Sequence, residues 1–488
     1  MLKRIVKQVL IRAVHARNES TRRRLGLADA TLPPQTWGFD VGPSGHLTVD
    51  GCDAVEMAER FGTPLHIVSQ SQLEKTYRRF LGSFAAHYPH VEIGYSYKTN
   101  PLPGVLRALH DIGALAEVIS HFELWLAQVL GVPPERTIFN GPAKTPAALE
   151  LAVSSGIRLI NFDNLDEIET TARLAEAYGR TQEVGVRLVT SVGWSSQFGL
   201  SVAQGDAREA FARIARYPRL VPSALHIHLG TGIKSIATYA QAVREVLDFA
   251  AMLLREMGIR MKWLDLGGGF GVPTVRAYSE WDQRLTATGY PPAPIDVAAA
   301  PTLEAYGREI GGLVRSYYPS DRDLPTLIFE PGRAITSSAQ LLLMHVLAVK
   351  SPVSGAPRVI LDGGRHSAYP TGYEHHELLP ASKMRAPFVG PYNFYGPLCH
   401  PGDVFHLWKR FPELGVGDVV ALMDSGAYFI PNQMNFSNPR AAAVMADRGE
   451  AHVIRAHESF ADVVRLDLGL PAARGQPIEG TASRRATA

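Results

Sequence analysis

The chain of 488 residues contains little cysteine, little net charge and no long apolar run. Its two cysteines, Cys52 and Cys399, lie far apart and provide neither a disulfide framework nor the spacing of a metal site. So little cysteine fits a reducing compartment, and we expect a cytoplasmic protein. Lysine and arginine number 49 against 47 aspartate and glutamate residues, a formal charge of +2 that gives no reason to expect nucleic acid as a partner. Because no run of 18 apolar residues occurs, no membrane span is expected.

The two ends of the chain differ in composition from the rest. Residues 1–30 form a basic extension in which Leu2, Ile5, Val6, Val9, Leu10 and Val14 fall on one helical face. This pattern favours a helix packed on its own protein and followed by an arginine-rich linker; the alternative is a basic amphipathic helix for an anionic surface. Residues 469–488 are rich in Gly, Ala, Arg, Ser and Thr, which predicts a disordered tail.

Residues 71–334 show the rhythm of a (β/α)8 barrel. Apolar strand-like segments alternate with segments of helical apolar spacing. The eight strands are predicted at Val91–Tyr97, Ala114–Ile119, Thr137–Phe139, Arg158–Phe162, Val184–Thr190, Ser223–Leu229, Lys262–Leu266 and Thr326–Phe329. Eight such units in a span of this length match a barrel of about 250 residues, and an open doubly wound sheet is the alternative.

Strands without intervening helices dominate residues 335–468. The clearest are Leu341–Val349, Arg358–Asp362, Asp403–Leu407, Asp418–Met423 and His452–Arg455. A run of strands after an α/β block predicts a separate all-β domain, and short strands within residues 31–70 are expected to join it.

Lys98 directly follows the first barrel strand, before Thr-Asn-Pro. Taken alone, a lysine at a strand end is usually a solvated residue. In a barrel, however, strand C-termini carry the reactive groups. We expect desolvation there to lower the pKa of Lys98 and to free its amine as a nucleophile for carbonyl groups.

Three other barrel strands end in residues of similar interest. His226 and His228 share one side of a strand, glycines occupy most of 267–271, and Glu330 and Arg333 follow the last strand. Each has an ordinary explanation: core histidines, a tight turn, a carboxylate at a helix start and an ion-pair partner. Together with Lys98 they supply the amine, phosphate cradle, stacking ring and carboxylate that a phosphorylated aldehyde cofactor requires.

These motifs resemble those of the barrel-type PLP-dependent amino-acid decarboxylases, the group of the diaminopimelate and ornithine decarboxylases, over residues 35–465. The resemblance implies that pyridoxal 5'-phosphate is the cofactor and that Lys98 forms the Schiff base with it. It also implies that His228 stacks on the ring, that Glu330 meets the pyridine nitrogen, and that the phosphate is held by Gly268, Gly269, Gly271, Arg333 and Tyr428. No metal ion is expected.

The segment Gly396–Asp403 is similar to the family's Gly-Pro-x-Cys segment. In that family the cysteine enters the active site of the partner subunit and helps to protonate the decarboxylated product. The resemblance therefore implies a homodimer with shared active sites and a catalytic Cys399. Judged without its neighbours, a free cysteine is more often a small buried hydrophobe.

Positions that would contact the distal part of a substrate depart from the family's pattern. His400 stands where an acidic residue reads a distal amine, and Tyr369 stands where an arginine precedes the proline, although Arg365 lies nearby. Arg333, Tyr369, Tyr373, His400 and Asp403 are the expected substrate-binding residues. Because a site built for a charged group rejects substrates that lack it, these changes predict that meso-diaminopimelate and ornithine are not preferred.

The expected activity is α-decarboxylation of an amino acid or amino-acid derivative, a small-molecule substrate. One alternative is a racemase or epimerase on the same barrel, which Glu330 and the Cys399 segment disfavour. The other is a non-catalytic regulatory homologue, which the retained cofactor positions disfavour. The connection 273–301 either shapes the substrate pocket or is a simple surface insertion.

Overall fold

The computed structural model describes residues 2–27, 30–318 and 320–467. The tail predicted at 469–488 lies outside these residues. The chain begins with helix α1 (Leu2–Arg24). In the described ranges, none of the helices combines the length and apolar character needed to cross a bilayer.

Four short strands and two helices precede the barrel: β1 (Asp40–Val41), β2 (Leu47–Val49), β3 (Cys52–Asp53), α2 (Ala54–Phe61), β4 (Leu65–Ser69) and α3 (Gln70–Ala85). The first three strands form a small antiparallel sheet. Asp53 caps α2 by accepting hydrogen bonds from the amides of Val55 and Glu56, which fixes where that helix begins. β4 is buried along its whole length.

Eight parallel strands close into a barrel. They are β5 (Val91–Ser96), β6 (Leu115–Val118), β7 (Thr137–Phe139), β8 (Leu159–Phe162), β9 (Gln182–Val189), β11 (Leu220–His226), β12 (Trp263–Asp265) and β14 (Thr326–Phe329), with β10 (Leu200–Ser201) and β13 (Arg276–Ala277) in the connections. They pair in chain order, and β14 pairs with β5 to close the ring. The predicted barrel is therefore confirmed, and the alternative of an open sheet is wrong.

The barrel strands are separated by helices α4 (Pro103–Asp111), α5 (His121–Val129), α6 (Pro146–Ser155), α7 (Asp166–Ala177), α8 (Asp206–Ile214), α9 (Ile236–Met257), α10 (Glu280–Ala287) and α11 (Leu303–Tyr317), and the short α12 (Arg333–Thr336) follows β14. Ser120, Thr145, Ser235 and Thr302 cap four of them through their hydroxyl groups. Buried aromatic rings pack the helices on the strands; the rings of Phe84 and Phe329, for example, lie 4.1 Å apart.

The second domain contains β15 (Gln340–Lys350), β16 (Arg358–Leu361), β17 (Glu374–His375), β18 (Leu378–Leu379), β19 (Phe388–Tyr395), β20 (Val404–Pro412), β21 (Val419–Leu422), β22 (Ala442–Asp447), β23 (Glu450–Arg455) and helix α13 (Phe460–Val463). β4 lies between β15 and β22 in its large sheet, so an N-terminal strand does join this domain. β17 pairs with β13 and ties this domain to the barrel connection 273–301.

Helix α1 packs on its own protein. Ile11 and Asn18 are buried, the ring of His15 lies 4.6 Å from that of Tyr290, and Arg22 donates a hydrogen bond to the carbonyl oxygen of Pro292 at 3.2 Å. The connection 273–301 thus lies between α1 and β17. The contacts agree with the packed helix that the sequence favours.

Candidate active site

The carboxyl ends of the barrel strands surround a cavity of about 310 Å³. Its wall is formed mainly by barrel residues, with additional side chains from the second domain. Those used below are Lys98, Glu117, Asn140, Arg187, Trp194, Phe198, His226, His228, Glu330, Arg333, Tyr373, Glu374 and Tyr428.

Lys98 lies in a single 3-10 turn (Tyr97–Thr99) that follows β5, and its side chain is 29% exposed. Its Nζ lies 3.8 Å from Oε2 of Glu117, the last residue but one of β6. Burial alone would lower the pKa of Lys98, but the negative charges of Glu117 and Glu330 outweigh it and hold the pKa above its ordinary value. The expectation of a lowered pKa is therefore wrong, because it considered burial without these two carboxylates.

Glu330 lies buried among polar side chains from three other strands. Its Oε1 is 3.4 Å from Nε2 of His226, and its Oε2 is 3.5 Å from Nδ1 of His228. Asn140 donates hydrogen bonds to Glu330 and to Glu117, at 2.5 and 3.0 Å. Burial would raise the pKa of Glu330, but the two histidines and Lys98 outweigh it, so the pKa lies well below its ordinary value. The site therefore keeps Glu330 ionised.

Two histidines accompany this carboxylate. Burial lowers the pKa of both His226 and His228, and Glu330 opposes this effect. The amide of Gly268 donates to Nδ1 of His228 at 3.2 Å, so this nitrogen is an acceptor. The ring of His228 is thereby fixed beside Lys98 and Glu330.

The glycine loop after β12 packs against two neighbouring backbone segments. A Cβ atom on Gly268 would collide with the carbonyl oxygen of Glu330, and one on Gly269, whose φ is +84°, with that of Gly230. The amide of Gly271 donates to the carbonyl oxygen of Ile233 at 2.9 Å. Glycine is required here because the loop must approach other backbone closely.

A second, smaller cavity lies between this loop and the start of α12, lined among others by Ser96, Thr99, Gly269, Gly332, Arg333 and Tyr428. A Cβ atom on Gly332 would collide with the side chain of Thr99. Ser96 Oγ and Thr99 Oγ1 are buried and have no hydrogen-bond partner among the described residues. Backbone amides, hydroxyl groups and an arginine around a small cavity suit a phosphate group.

Arg333 reaches both cavities and is held by a residue that the sequence did not reveal. Glu374, on β17, accepts two hydrogen bonds from its guanidinium, at 3.0 and 2.6 Å. Both side chains are buried. Tyr428 also contacts this group, since Arg333 lies 5.3 Å from the centre of its ring. The available signal in the sequence was the run of two glutamates and two histidines, Glu374–Glu377, directly before Leu378 and Leu379.

The loop after β9 adds an aromatic wall that was also not predicted. Trp194 and Phe198 stack with their ring centres 6.0 Å apart, and Trp194 lies 6.0 Å from the ring of His228. Arg187 lies 4.3 Å over Phe198 and 3.6 Å from the carboxylate of Asp163.

Four of the predicted catalytic and substrate-binding residues do not line the cavity of their own chain: Cys399, Tyr369, His400 and Asp403. Of the three predicted phosphate-binding glycines, Gly269 lines the smaller cavity, while Gly268 and Gly271 line neither cavity. Cys399 is exposed. Asp403 is buried and accepts hydrogen bonds from the amides of Arg365 and Leu398, at 2.8 and 2.9 Å. Both carboxylate oxygens of Asp403 thus hold the segment 396–403 in place, and its role as a substrate contact stays a prediction.

Within the described residues, one group of side chains has the composition of a metal site: His226, Asp265 and Glu330. Asp265 has a structural function there, because its Oδ1 accepts a hydrogen bond from the amide of Gly267 at 3.1 Å. Burial and the charge of Glu330 raise its pKa well above the ordinary value. A protonated carboxyl is a poor metal ligand.

The barrel that carries this site is similar to a known protein family. Residues 61–337 match the family described as pyridoxal-dependent decarboxylase, pyridoxal binding domain. The chain belongs to this family. It is a PLP-dependent amino-acid decarboxylase, and the (β/α)8 region is the part that carries the match.

Relatives of similar length bear the name diaminopimelate decarboxylase. The Methanocaldococcus jannaschii enzyme is 29% identical over 88% of this chain and 96% of its own length, and the Actinosynnema pretiosum enzyme is 32% identical over 87% and 93%. The solved structure of the M. jannaschii enzyme superposes with a TM-score of 0.79 at 27% identity, covering 89% of this chain and 98% of that one.

The residues fit pyridoxal phosphate on observations independent of the family match. The small cavity has unpartnered hydroxyl groups and a glycine cradle where the phosphate is required. An amine, an ionised carboxylate and a fixed imidazole lie around the larger cavity. These groups have the chemistry that the cofactor requires, and Asn140, Ser96 and Thr99 join the residues that the sequence predicts for this site.

Proposed function

We propose that Lys98 holds the aldehyde of the cofactor and that the other predicted residues surround it. Glu330 faces the ring nitrogen, His228 lies against the ring, and Gly268, Gly269, Gly271, Arg333 and Tyr428 surround the phosphate. When bound, pyridoxal phosphate supplies an electron sink for the pair of electrons released when the bond between Cα and the carboxylate breaks. The product retains its amine, CO2 leaves, and one proton is added at Cα.

The buried position of Glu330 beside His226, His228 and Asn140 is the observation that carries this proposal, and the lowered pKa of its carboxyl agrees with it. A buried carboxylate facing a ring nitrogen stabilises a proton on that nitrogen, which makes the ring a better electron acceptor. The hydrogen bond from Asn140 and the closeness of His226 and His228 hold the carboxylate in place. An arginine in the position of Glu330 would not do this, and racemisation is therefore the less favoured reaction.

Cys399 is proposed to act in the partner subunit of a homodimer. Its thiol is exposed and lies away from the cavity of its own chain, while Asp403 fixes the segment that carries it. An exposed loop of fixed shape is suited to enter a neighbouring site. In that position the thiol would deliver or relay the proton to Cα, and His400 would lie beside the substrate.

The preferred substrate is proposed to be neither meso-diaminopimelate nor ornithine. The relatives named diaminopimelate decarboxylase are only 29% and 32% identical to this chain. His400 cannot act as a counter-ion for a distal amine, and Tyr369 does not replace an arginine as a ligand for a distal carboxylate.

Mixing two inactive variants tests the residue assignments and the shared site together. Lys98→Ala should lose covalent attachment of the cofactor, read by mass after borohydride reduction, and Cys399→Ala should keep attachment but release CO2 slowly. After dissociation and mixing, about a quarter of wild-type activity should return, since half of the dimers are mixed and each has one complete site.

A separate screen tests the reaction and the substrate. CO2 release is measured over acidic, basic, apolar and acylated amino acids of both configurations.

Three results would contradict the proposal. Attachment of the cofactor in Lys98→Ala would remove Lys98 from its assigned position. Inversion at Cα without CO2 would make the protein a racemase, and no turnover with any tested amino acid would favour a regulatory homologue. Failure of the mixed variants to regain activity would place Cys399 in its own chain's site or outside catalysis.

A further inference from the structure

The charged side chains that line the large cavity all have a partner within their own chain, either a side chain of opposite charge or a histidine. Lys98 is paired with Glu117, Arg187 with Asp163 and Arg333 with Glu374, while Glu330 lies between His226 and His228. The amine of Lys98 and the carboxylate of Glu330 are moreover committed to the cofactor. A charged group at the far end of a substrate would thus lose its hydration without gaining a free counter-ion from this wall.

Glu374 determines whether Arg333 is available. Its carboxylate forms a two-pronged ion pair with the guanidinium, the geometry that makes such pairs strongest. Nε2 of His376 lies 3.4 Å from the same carboxylate, and the pairing of β17 with β13 fixes the backbone beneath it. Withdrawing Arg333 toward a substrate carboxylate would leave Glu374 buried without its partner, which is strongly unfavourable.

Aromatic rings supply much of the remaining surface around the cavity, beside uncharged residues such as Ile119, Pro142 and Asn432. Trp194 and Phe198 stack on one another beside His228, and Tyr373 lies next to Glu374. Arg187 covers a face of Phe198 instead of projecting toward the substrate. Flat rings of this kind bind apolar and aromatic groups through buried area and ring stacking.

We propose that the substrate carries an uncharged, apolar or aromatic side chain that packs against Trp194 and Phe198, and that Glu374 excludes a second carboxylate by holding Arg333. Glu374 and Trp194 are then the specificity-determining residues of this chain. This inference rests on the proposed decarboxylation, and it assigns to that reaction a substrate class distinct from the diamino acids and dicarboxylates of the named relatives.

The test compares phenylalanine, leucine and methionine with meso-diaminopimelate, glutamate and ornithine as substrates of the PLP-loaded protein. Wild type should favour the first three in kcat/KM by about 100-fold or more, the discrimination expected when a charged group is left unpaired. Glu374→Gln frees Arg333 and should improve kcat/KM for glutamate and meso-diaminopimelate about tenfold, mainly through KM. Glu374→Asp keeps the ion pair and should retain the wild-type order.

Trp194→Ala should raise the KM for phenylalanine about tenfold with little change in kcat, and Trp194→Phe should recover most of it. Trp281→Ala, which removes a partly exposed tryptophan from α10 outside the cavity, is the matched control and should have no effect. Binding is also read before turnover becomes appreciable, as the Kd of phenylalanine obtained from the early change in cofactor absorbance in the slow variant Cys399→Ala.

The outcomes separate this inference from the proposed function. CO2 release with a preference for a charged amino acid, or an unchanged substrate order in Glu374→Gln, would overturn the inference and leave decarboxylation standing. Absence of CO2 release from every amino acid, with the cofactor attached, would overturn the proposed function itself. If Glu374→Gln does not fold, the variants Trp194→Ala and Trp194→Phe, together with the substrate preference of wild type, still decide the inference.

Discussion

Nζ of Lys98 lies 3.8 Å from Oε2 of Glu117 in a cavity where Glu330 adds a second negative charge. These charges oppose the effect of burial and keep the lysine protonated more strongly than in water. The amine must be neutral to attack the aldehyde of the cofactor. We therefore expect Glu117 to limit how readily the amine of Lys98 reacts with this aldehyde at neutral pH.

Glu117→Gln should lower the pKa of Lys98 and speed attachment of the cofactor to cofactor-free protein. The midpoint of the pH–rate curve should move down by about one unit, which corresponds to about a tenfold faster rate on its acidic side. Stopped-flow absorbance after mixing with pyridoxal phosphate, from pH 6 to 10, measures this. Glu150→Gln, on the exposed face of α6, is the control and should leave the curve unchanged. A midpoint that stays in place or rises in Glu117→Gln would show that Glu117 does not set the protonation of Lys98.

Substitutions at two glycines of equal φ can distinguish the cost of backbone strain from damage to the glycine loop at the proposed phosphate site. Gly269 and Gly289 both have φ of +84°, but a Cβ atom on Gly289 would meet nothing within 4 Å, whereas one on Gly269 would collide with Gly230. Gly289→Ala should cost about 1 kcal/mol of unfolding free energy and leave the Kd of pyridoxal phosphate unchanged. Gly269→Ala should cost about 3 kcal/mol and weaken cofactor binding at least about tenfold, because it adds overpacking to the same strain.

Urea unfolding and absorbance titration measure the two quantities. Equal effects of both substitutions on cofactor affinity would mean that the cradle tolerates a methyl group and that only the backbone angle matters. An unchanged Kd of pyridoxal phosphate in Gly269→Ala would show that this loop does not bind the phosphate.

The barrel could be predicted because each strand carries its own signal, an apolar segment bounded by turn or capping residues. β22 was missed because its sequence, rich in alanine, favours a helix, and only burial between β4 and β23 makes it a strand. β19 was missed because Gly390 and Pro391 interrupt its pattern.

The placement of Lys98, His228 and Glu330 around one cavity could be predicted, because a motif fixes each of them near the end of a barrel strand. The electrostatics of the site could not, since the pKa of Lys98 depends on carboxylates from β6 and β14 that are close only after the barrel closes. The same holds for Glu374, which meets Arg333 across 41 positions of the chain. Contacts between distant segments leave no local pattern in the sequence.

Asp282 provides a stability prediction away from the active site. It accepts hydrogen bonds from Arg276, from Ser279 and from the amide of Ala293, and so holds the connection 273–301 together. Burial would raise its pKa, but these bonds lower it to about 2. Because the folded pKa is lowered, the stabilisation is present above the ordinary pKa of an aspartate, about 4, and is lost as the pH falls toward 2.

Asp282→Asn should therefore reduce the free energy of unfolding by about 2 kcal/mol at pH 7, and the difference from wild type should shrink as the pH falls from about 4 toward 2. Urea unfolding across this range measures it. Glu280→Gln is the matched control on the same helix. Glu280 is mostly exposed and forms a surface ion pair with Arg284, so its removal should change the free energy of unfolding by at most about 0.5 kcal/mol. A destabilisation by Asp282→Asn that persists undiminished near pH 2 would show that Asp282 acts through packing and not through its charge.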